Sequence, residues 1–326
     1  MTPGEPDAEP GPAIEVVATD EDVGARADVV LARHTPGLSR RAAKQAGLAG
    51  RVLVDGRKSP PSTAVQAGMR LSILADDAGE DTAPVALEVL HVTESFIYVA
   101  KPPDVHTQRL RPYDPPTLAD AVVEAHPECA SSSTDPRECG AIHRLDYGTS
   151  GIVAFARSPE AWQRGRDALS NRRVLKVYLA AVAAPMVTSP APLVEAGSVV
   201  RLARAGPDLG GLCKGGADAP GLRLDIPLSG RRRVHPSVTG RDAITEAWNV
   251  APTRESAPAL VALVLHTGHR HQARAHLAAI ERPIHGDEPY GGAPGPTLLL
   301  HAARLDLSAA IASERAVACP LPARFF

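Results

Sequence analysis

The longest apolar run in the chain, Ala257–Leu265, has the length of a strand. No run approaches the roughly 18–20 apolar residues that a membrane-spanning helix requires. The chain must therefore bury its apolar residues in short elements packed on one another. With 326 residues it has room for one large domain or two. At 44 % hydrophobic and 22 % charged it reads as globular and not as a wholly disordered chain. The opening MTPGEPDAEPGPAIE has neither the basic start nor the apolar stretch of a secretory signal. Cys129, Cys139, Cys213 and Cys319 lie far apart without CxxC spacing, against a disulfide framework and against a zinc site. The expected compartment is a reducing cytoplasm, with no membrane association and a monomer as the default state.

A net charge of −2 hides an uneven distribution. From Gly24 to Ile73 nine basic residues (Arg26, Arg33, Arg40, Arg41, Lys44, Arg51, Arg57, Lys58, Arg70) face only Asp28 and Asp55, a local charge of +7. Residues 1–23 hold seven acids and no base, and residues 76–94 hold six acids and no base. A basic block between two acidic ones reads either as a solvated surface or as the electrostatic footprint of a nucleic-acid partner.

The pattern divides the chain into an acidic, Pro- and Gly-rich tail (1–14), a small α/β block (15–75), an acidic linker (76–85) and a large remainder (86–326). In the small block, 26–33 and 39–48 suit helices, the second capped by Ser39, with Arg40, Arg41 and Lys44 on its exposed side. Val52, Val54, Leu71 and Ile73 alternate as in strands, with a turn at Asp55-Gly56. In the remainder, strands are expected at 85–90, 96–100, 151–156, 174–184, 243–250, 260–266 and 298–305. Helices are expected at 118–125, 159–170 and 272–280. Residues 186–240 read as loops with a few short strands.

The sharpest local signal is His143-Arg144-Leu145-Asp146-Tyr147-Gly148-Thr149-Ser150-Gly151. A carboxylate on a polar turn before an apolar strand is held rigidly at a cleft, where it can serve as nucleophile or base. Taken alone, an Asp in such a loop is more often a turn residue. His266, His269, His271 and His276 cluster within eleven residues, but the spacing of His271 and His276 does not share a helix face and no HExxH or cysteine accompanies them, which argues against a metal site.

HRLD-xx-TSG resembles the catalytic motif of the RluA-type RNA pseudouridine synthases. FIYVAKP (96–102), Lys176-x-Tyr178-x-Ala180, Thr267–His276, PIHGD with Tyr290-Gly291, LHAARL (300–305) and Pro320-Leu321-Pro322 are similar to that family's remaining motifs in order and spacing. Around Arg26, Ser39-Arg40-Arg41, Gly50–Gly56 and Gly68–Leu71 the small block resembles an S4 RNA-binding domain. The resemblance implies an α+β catalytic domain with a mostly antiparallel, bent sheet and a central cleft, preceded by a small α/β S4-like domain. It implies uridine-to-pseudouridine isomerisation in structured RNA, ribosomal large-subunit RNA before transfer RNA, with no cofactor and no metal.

On that resemblance Asp146 is the catalytic aspartate, attacking C1′ or removing a C2′ proton. Tyr178 stacks on the uracil and helps remove the C5 proton, and Arg274 pairs with Asp146 and keeps it ionised. Arg144 either fills the gap left by the flipped base or braces the loop, and His143 orients the turn. Arg26, Arg40, Arg41, Lys44 and Arg51 carry RNA contacts. His269 stands where the family has arginine, with Arg270 beside it, and residues 103–107 depart from the usual small-apolar run. Two other readings stand beside this one: a non-catalytic RNA-binding assembly factor, and a glycoside hydrolase, which requires a second catalytic carboxylate that does not stand out near these motifs.

Overall fold

A computed structural model of the chain describes residues 12–48, 50–74, 84–110, 114–186, 198–203, 221–231, 233–250 and 258–325. They divide between two units, one of Met1–Pro84 with Arg109–Pro116, the other of Val85–Gln108 with Thr117–Phe326. None of the helices among the described residues is long and apolar enough to cross a membrane.

The first unit is an antiparallel sheet in the order β1-β4-β2-β3, built from β1 (Pro12–Val17), β2 (Val52–Val54), β3 (Arg57–Lys58) and β4 (Arg70–Leu74). Helices α1 (Ala27–His34) and α2 (Arg40–Leu48) complete it. Alternate strand residues Val52, Val54, Leu71 and Ile73 point inward and pack with Val30, Leu31 and Ala43. Asp55 and Gly56 both have positive φ, 49° and 77°, as the tight hairpin between β2 and β3 demands. Ser39 Oγ accepts from the Ala42 amide at 3.2 Å, which satisfies one orphan donor at the start of α2. Arg40, Arg41 and Lys44 are exposed on α2, while Ala43 and Ala46 face the core.

The tail was expected to run to residue 14, but β1 starts at Pro12 and pairs with β4, and Ile14 and Val16 are buried in the core. Two alternating apolar residues are too weak a signal to stand out from the neighbouring Pro/Gly-rich composition. Residues 1–11, residue 75 and 76–83 of the acidic linker lie outside the described residues.

The second unit is organised on one mixed sheet in the order β5-β6-β7-β15-β8-β14-β13-β10-β9, with β16 paired to β15. Its strands are β5 (Glu88–Val92), β6 (Phe96–Lys101), β7 (Ser150–Ala156), β8 (Leu175–Val182), β9 (Val199–Ala203), β10 (Gly221–Asp225), β13 (Ile244–Val250), β14 (Ala259–Leu265), β15 (Leu300–Asp306) and β16 (Val317–Ala318). A small ribbon, β11 (Leu228–Ser229) with β12 (His235–Pro236), lies off it. Every pairing in the large sheet is antiparallel except β7 with β15. Helices α3 (Leu118–Ala125), α4 (Pro159–Ser170) and α5 (Gln272–Ala279) belong to the same unit.

The central strands are buried on both faces, which is why β14 reads as a continuous apolar run. On β8, Tyr178, Ala180 and Val182 join one core while Val177, Leu179 and Ala181 join another. The same alternation on β14 sends Val261, Leu263 and Leu265 to the first core and Leu260, Ala262 and Val264 to the second. Residue parity on β8 thus decides which side chains reach the Tyr178 face.

Candidate active site

Three segments meet over the middle of the sheet: the turn 143–150 that leads into β7, the strand β8, and the loop 266–271 that leads into α5. They enclose a cavity of about 830 Å³ lined by, among others, Arg144, Asp146, Lys176, Tyr178, His271 and Arg274. The sequence-expected trio of Asp146, Tyr178 and Arg274 is therefore brought to one cavity from three separate elements.

The Asp146 turn is held by its backbone and by neighbours distant in sequence. The Thr149 amide donates to the Asp146 carbonyl at 3.0 Å. Thr107 Oγ1 accepts from the Leu145 amide at 3.1 Å and lies 3.2 Å from the Leu145 carbonyl, to which it donates. Lys101, buried at the end of β6, donates to the carbonyls of Pro102, Val105 and Tyr147 at 2.9, 2.6 and 2.9 Å. Burial pushes Lys101 down to about 7, against the pull of Asp104 and Asp146. Where the turn enters β7, Gly151 has φ 118°, and a Cβ there would sit 2.2 Å from the Ala302 carbonyl oxygen. Only glycine fits.

Behind the turn, Ser150 Oγ accepts from Arg324 and donates to His301 Nδ1 at 2.8 Å, while His301 Nε2 donates to the Cys319 carbonyl at 3.2 Å. The Ser150 hydroxyl and the His301 N–H thus each have an acceptor. His143 is similarly fixed: its Nε2 accepts from the Ala154 amide at 3.3 Å, and burial lowers its pKa to about 3. A ring held neutral with its lone pair committed braces the turn. Arg144, by contrast, is exposed at the cavity beside Asp146.

Arg274 does not make the expected pair with Asp146. Its Nε and Nη2 donate to the two carboxylate oxygens of Asp287, at 2.8 and 2.6 Å, and its guanidinium lies 4.8 Å from the Tyr290 ring centre. A bidentate partner at full contact outcompetes a carboxylate across the cavity. Among the described residues the basic side chain within 4 Å of Asp146 is instead the His271 imidazole, whose Nε2 lies 3.9 Å from Asp146 Oδ2. The Tyr290 hydroxyl accepts from the Val234 amide at 2.9 Å and is hydrogen-bonded to His271 Nδ1 at 3.0 Å, while the Arg270 Nε–H donates to His271 Nε2 at 3.4 Å. Burial lowers the His271 pKa while the Asp146 charge raises it. Tyr178 is raised above the usual phenol range, first by burial and then by Asp146, and stays protonated through neutral pH.

The histidines of 266–276 go to separate partners: His266 to Glu246 at 2.8 Å, His269 to the Asp242 carbonyl at 2.7 Å, His271 to Tyr290, and His276 to Thr245 Oγ1 and the Ile226 carbonyl at 2.8 and 3.0 Å. Arg270, next to His269, donates to the Arg231 carbonyl at 2.7 Å. In the first unit Arg26 pairs with buried Asp28 at 2.9 Å, Arg40 approaches the same carboxylate at 3.9 Å, and Arg51 is half-buried. Arg41 and Lys44 stand exposed. Arg26 thus serves the unit's own structure.

Thr107, Lys101, His271, Asp287 and Tyr290 were not among the expected site residues. Lys101, Asp287 and Tyr290 lie inside recognisable motifs, and that was their signal. Thr107 sits in a segment that departs from the usual run, and nothing local marks it.

A carboxylate and a protonated tyrosine in an open, cation-walled cavity, in a chain that also carries a basic α/β unit, define an enzyme acting on nucleic acid. Residues 95–279 match the model of the RNA pseudouridylate synthase family and residues 25–71 that of the S4 domain. The chain belongs to the RNA pseudouridylate synthase family and is an RNA pseudouridine synthase, an isomerase. It is 30 % identical over 286 residues to the ribosomal large subunit pseudouridine synthase D of Xanthomonas campestris pv. campestris, covering 86 % of this chain and 75 % of that one. To the protein of the same name from Escherichia coli K12 it is 28 % identical over 295 residues, covering 87 % and 78 %. The solved structure of human RNA pseudouridylate synthase domain containing 1 superposes with a TM-score of 0.50 at 19 % identity, over 76 % of this chain and 87 % of that one, and shares the fold.

Proposed function

We propose that the chain isomerises specific uridines in large-subunit ribosomal RNA, working as a cytoplasmic monomer with Asp146 as its catalytic carboxylate. The observation that carries this is the convergence of Asp146, Tyr178 and the cationic wall on one cavity. The target class is supported by the two bacterial relatives, both ribosomal large subunit pseudouridine synthases.

A stacked uridine must leave its helix to be reached, at a cost of a few kcal/mol. Arg144, exposed beside Asp146, fills the vacated place. Asp146 bonds to C1′ or takes the C2′ proton, the N1–C1′ bond breaks, and the uracil turns within the cavity. C5 then bonds to C1′ while the carboxylate leaves or the C2′ proton returns, C5 loses its proton, and N1 ends protonated. The step is redox-neutral. Tyr178, held as a phenol, stacks on the uracil and donates a hydrogen bond rather than acting as a phenolate base. The Arg274–Asp287 pair and Tyr290 hold the His271 ring in place beside Asp146.

Pseudouridine mapping of ribosomal and transfer RNA from cells lacking the protein tests the reading, with wild type and Asp146→Asn each added back in vitro. A missing ribosomal site restored by the wild type alone supports it. No missing site and no modification by either protein overturns it in favour of a non-catalytic RNA-binding role.

A further inference from the structure

The side of the cavity formed by α4 and β8 differs from the rest of its lining. Arg166 on α4, Arg172 in the turn after it and Lys176 on β8 line it, whereas the carboxylates that line the cavity, Asp146 and Asp242, come from other segments. Asp167, the acid on that stretch of α4, is turned to Gln163 at 2.9 Å and does not line the cavity. Arg166 gives one hydrogen bond to the Ile142 carbonyl at 3.3 Å and rests 5.4 Å from the Trp162 ring centre, which leaves most of its donors unused by those contacts.

Lys176 is largely withdrawn from water, and the hydrogen bond its Nζ makes is to the neutral carbonyl of Thr267, at 3.1 Å. No carboxylate lies within ion-pair distance of it among the described residues. A half-desolvated ammonium on a single carbonyl is an incomplete arrangement, and an anion arriving from outside would complete it. Lys176 and Tyr178 are two residues apart on one strand, so their side chains share a face about 6.6 Å apart along β8. That interval is of the order that separates a base from the phosphate of its own nucleotide.

We infer that Lys176, flanked by Arg172 and Arg166, binds a phosphodiester of the RNA strand beside the uridine that Tyr178 receives. This rests on the uridine reading of the cavity proposed above. Strand β8 then performs two tasks from one face, with Tyr178 on the base and Lys176 on the backbone.

The test measures binding of an unmodified in vitro transcript of large-subunit ribosomal RNA at a series of salt concentrations. Lys176→Gln, Lys176→Arg and Arg172→Gln are each made in the Asp146→Asn background, so that binding is read without turnover. Removing a phosphate contact lowers the steepness of log K against log salt by about 0.7–0.9 per contact. The expected result is a slope reduced by that amount in Lys176→Gln and Arg172→Gln and restored in Lys176→Arg, with affinity at low salt about tenfold weaker in the glutamine variants. A role confined to holding the Thr267 loop would lower affinity without changing the slope, and that result overturns the inference. Arg172→Gln, on an exposed turn, keeps the question answerable should Lys176→Gln not fold. Pseudouridine formation by the unaltered protein is assayed alongside. If it is present while both glutamine slopes stay at the parent value, this inference alone falls; if it is absent on every RNA, the uridine reading falls and carries the inference with it.

Discussion

Arg274 closes a two-pronged ion pair on Asp287 and leaves Asp146 facing the Nε2 edge of His271. Asp287 is fully buried, and the Arg274 side chain is only 13 % exposed. The charge on Asp287 is thus compensated inside the fold, and Asp146 stands on the cavity wall without that arginine as its partner.

Breaking this pair from one side leaves a buried charge without a partner. Asp287→Asn is expected to lower the unfolding free energy by about 3–5 kcal/mol, whereas the double variant Arg274→Met with Asp287→Leu recovers much of that loss. Urea denaturation of the single and double variants measures both numbers. Equal losses in the two would show that the pair contributes packing and not charge compensation.

Asp146→Asn is expected to reduce pseudouridine formation by on the order of 10³-fold or more while RNA binding persists. Release of tritium from RNA labelled at uridine C5 reads the first quantity, and filter binding the second. Loss of both together would place Asp146 in binding or folding instead of chemistry.

Thr107 holds Leu145 by hydrogen bonds on both its amide and its carbonyl. Thr107→Val removes them, at about 1–3 kcal/mol of stability for the buried groups left unpaired. Because Leu145 immediately precedes Asp146, kcat is expected to fall more than tenfold at temperatures where the variant is still folded. Thr107→Ser retains the hydroxyl and most of the activity. A valine variant of unchanged kcat would mean that the turn holds its shape without this anchor.

Acid stability has two separable windows. Burial lowers His143 to about 3 and His276 and His301 to about 4, from 6.5 in the unfolded chain. Between these values the unfolded chain binds more protons, so the second unit loses stability as pH falls from about 6.5 toward 4. Asp22, in the first unit, would be raised by burial, but hydrogen bonds from Thr19 and His34 hold it at about 2 against 3.8 unfolded. Its contribution is present above 3.8 and is lost as pH falls toward 2. Thermal unfolding from pH 7 to 3 reads the first window, and His276→Gln should flatten it. A midpoint independent of pH between 6.5 and 4.5 would contradict the neutral-histidine account.

On α2, Ala43 and Ala46 face the core, which leaves Arg41 and Lys44 to solvent without an ion pair among the described residues. Arg41→Glu with Lys44→Glu is expected to weaken RNA binding by tenfold or more at low salt and to make its salt dependence shallower. The comparison variant Arg26→Gln is expected to act mainly on stability, since Arg26 serves buried Asp28. If Arg26→Gln weakens RNA binding more than the α2 double variant at equal stability, the basic face has been misplaced.

Local pattern alone determined the helices 118–125 and 159–170, the strands flanking them and the β2–β3 turn. Capping residues, period-two alternation and paired positive-φ positions act over a few residues. The motif order likewise marks Asp146, Tyr178 and Arg274. What the sequence could not decide was which charges meet. Arg274 has two carboxylates within reach in chemistry but one in geometry, and the choice of Asp287 depends on how the segment after α5 folds back. Thr107 reaches Leu145 across 38 residues, and Arg324 reaches Ser150 across 174. In sequence Lys176 stands out only as the first residue of the Lys176-x-Tyr178-x-Ala180 motif; the packed sheet shows it on the cavity face with a carbonyl for company. Hydrogen bonds and ion pairs are directional and short-ranged, so partners distant in the chain are set by the tertiary fold.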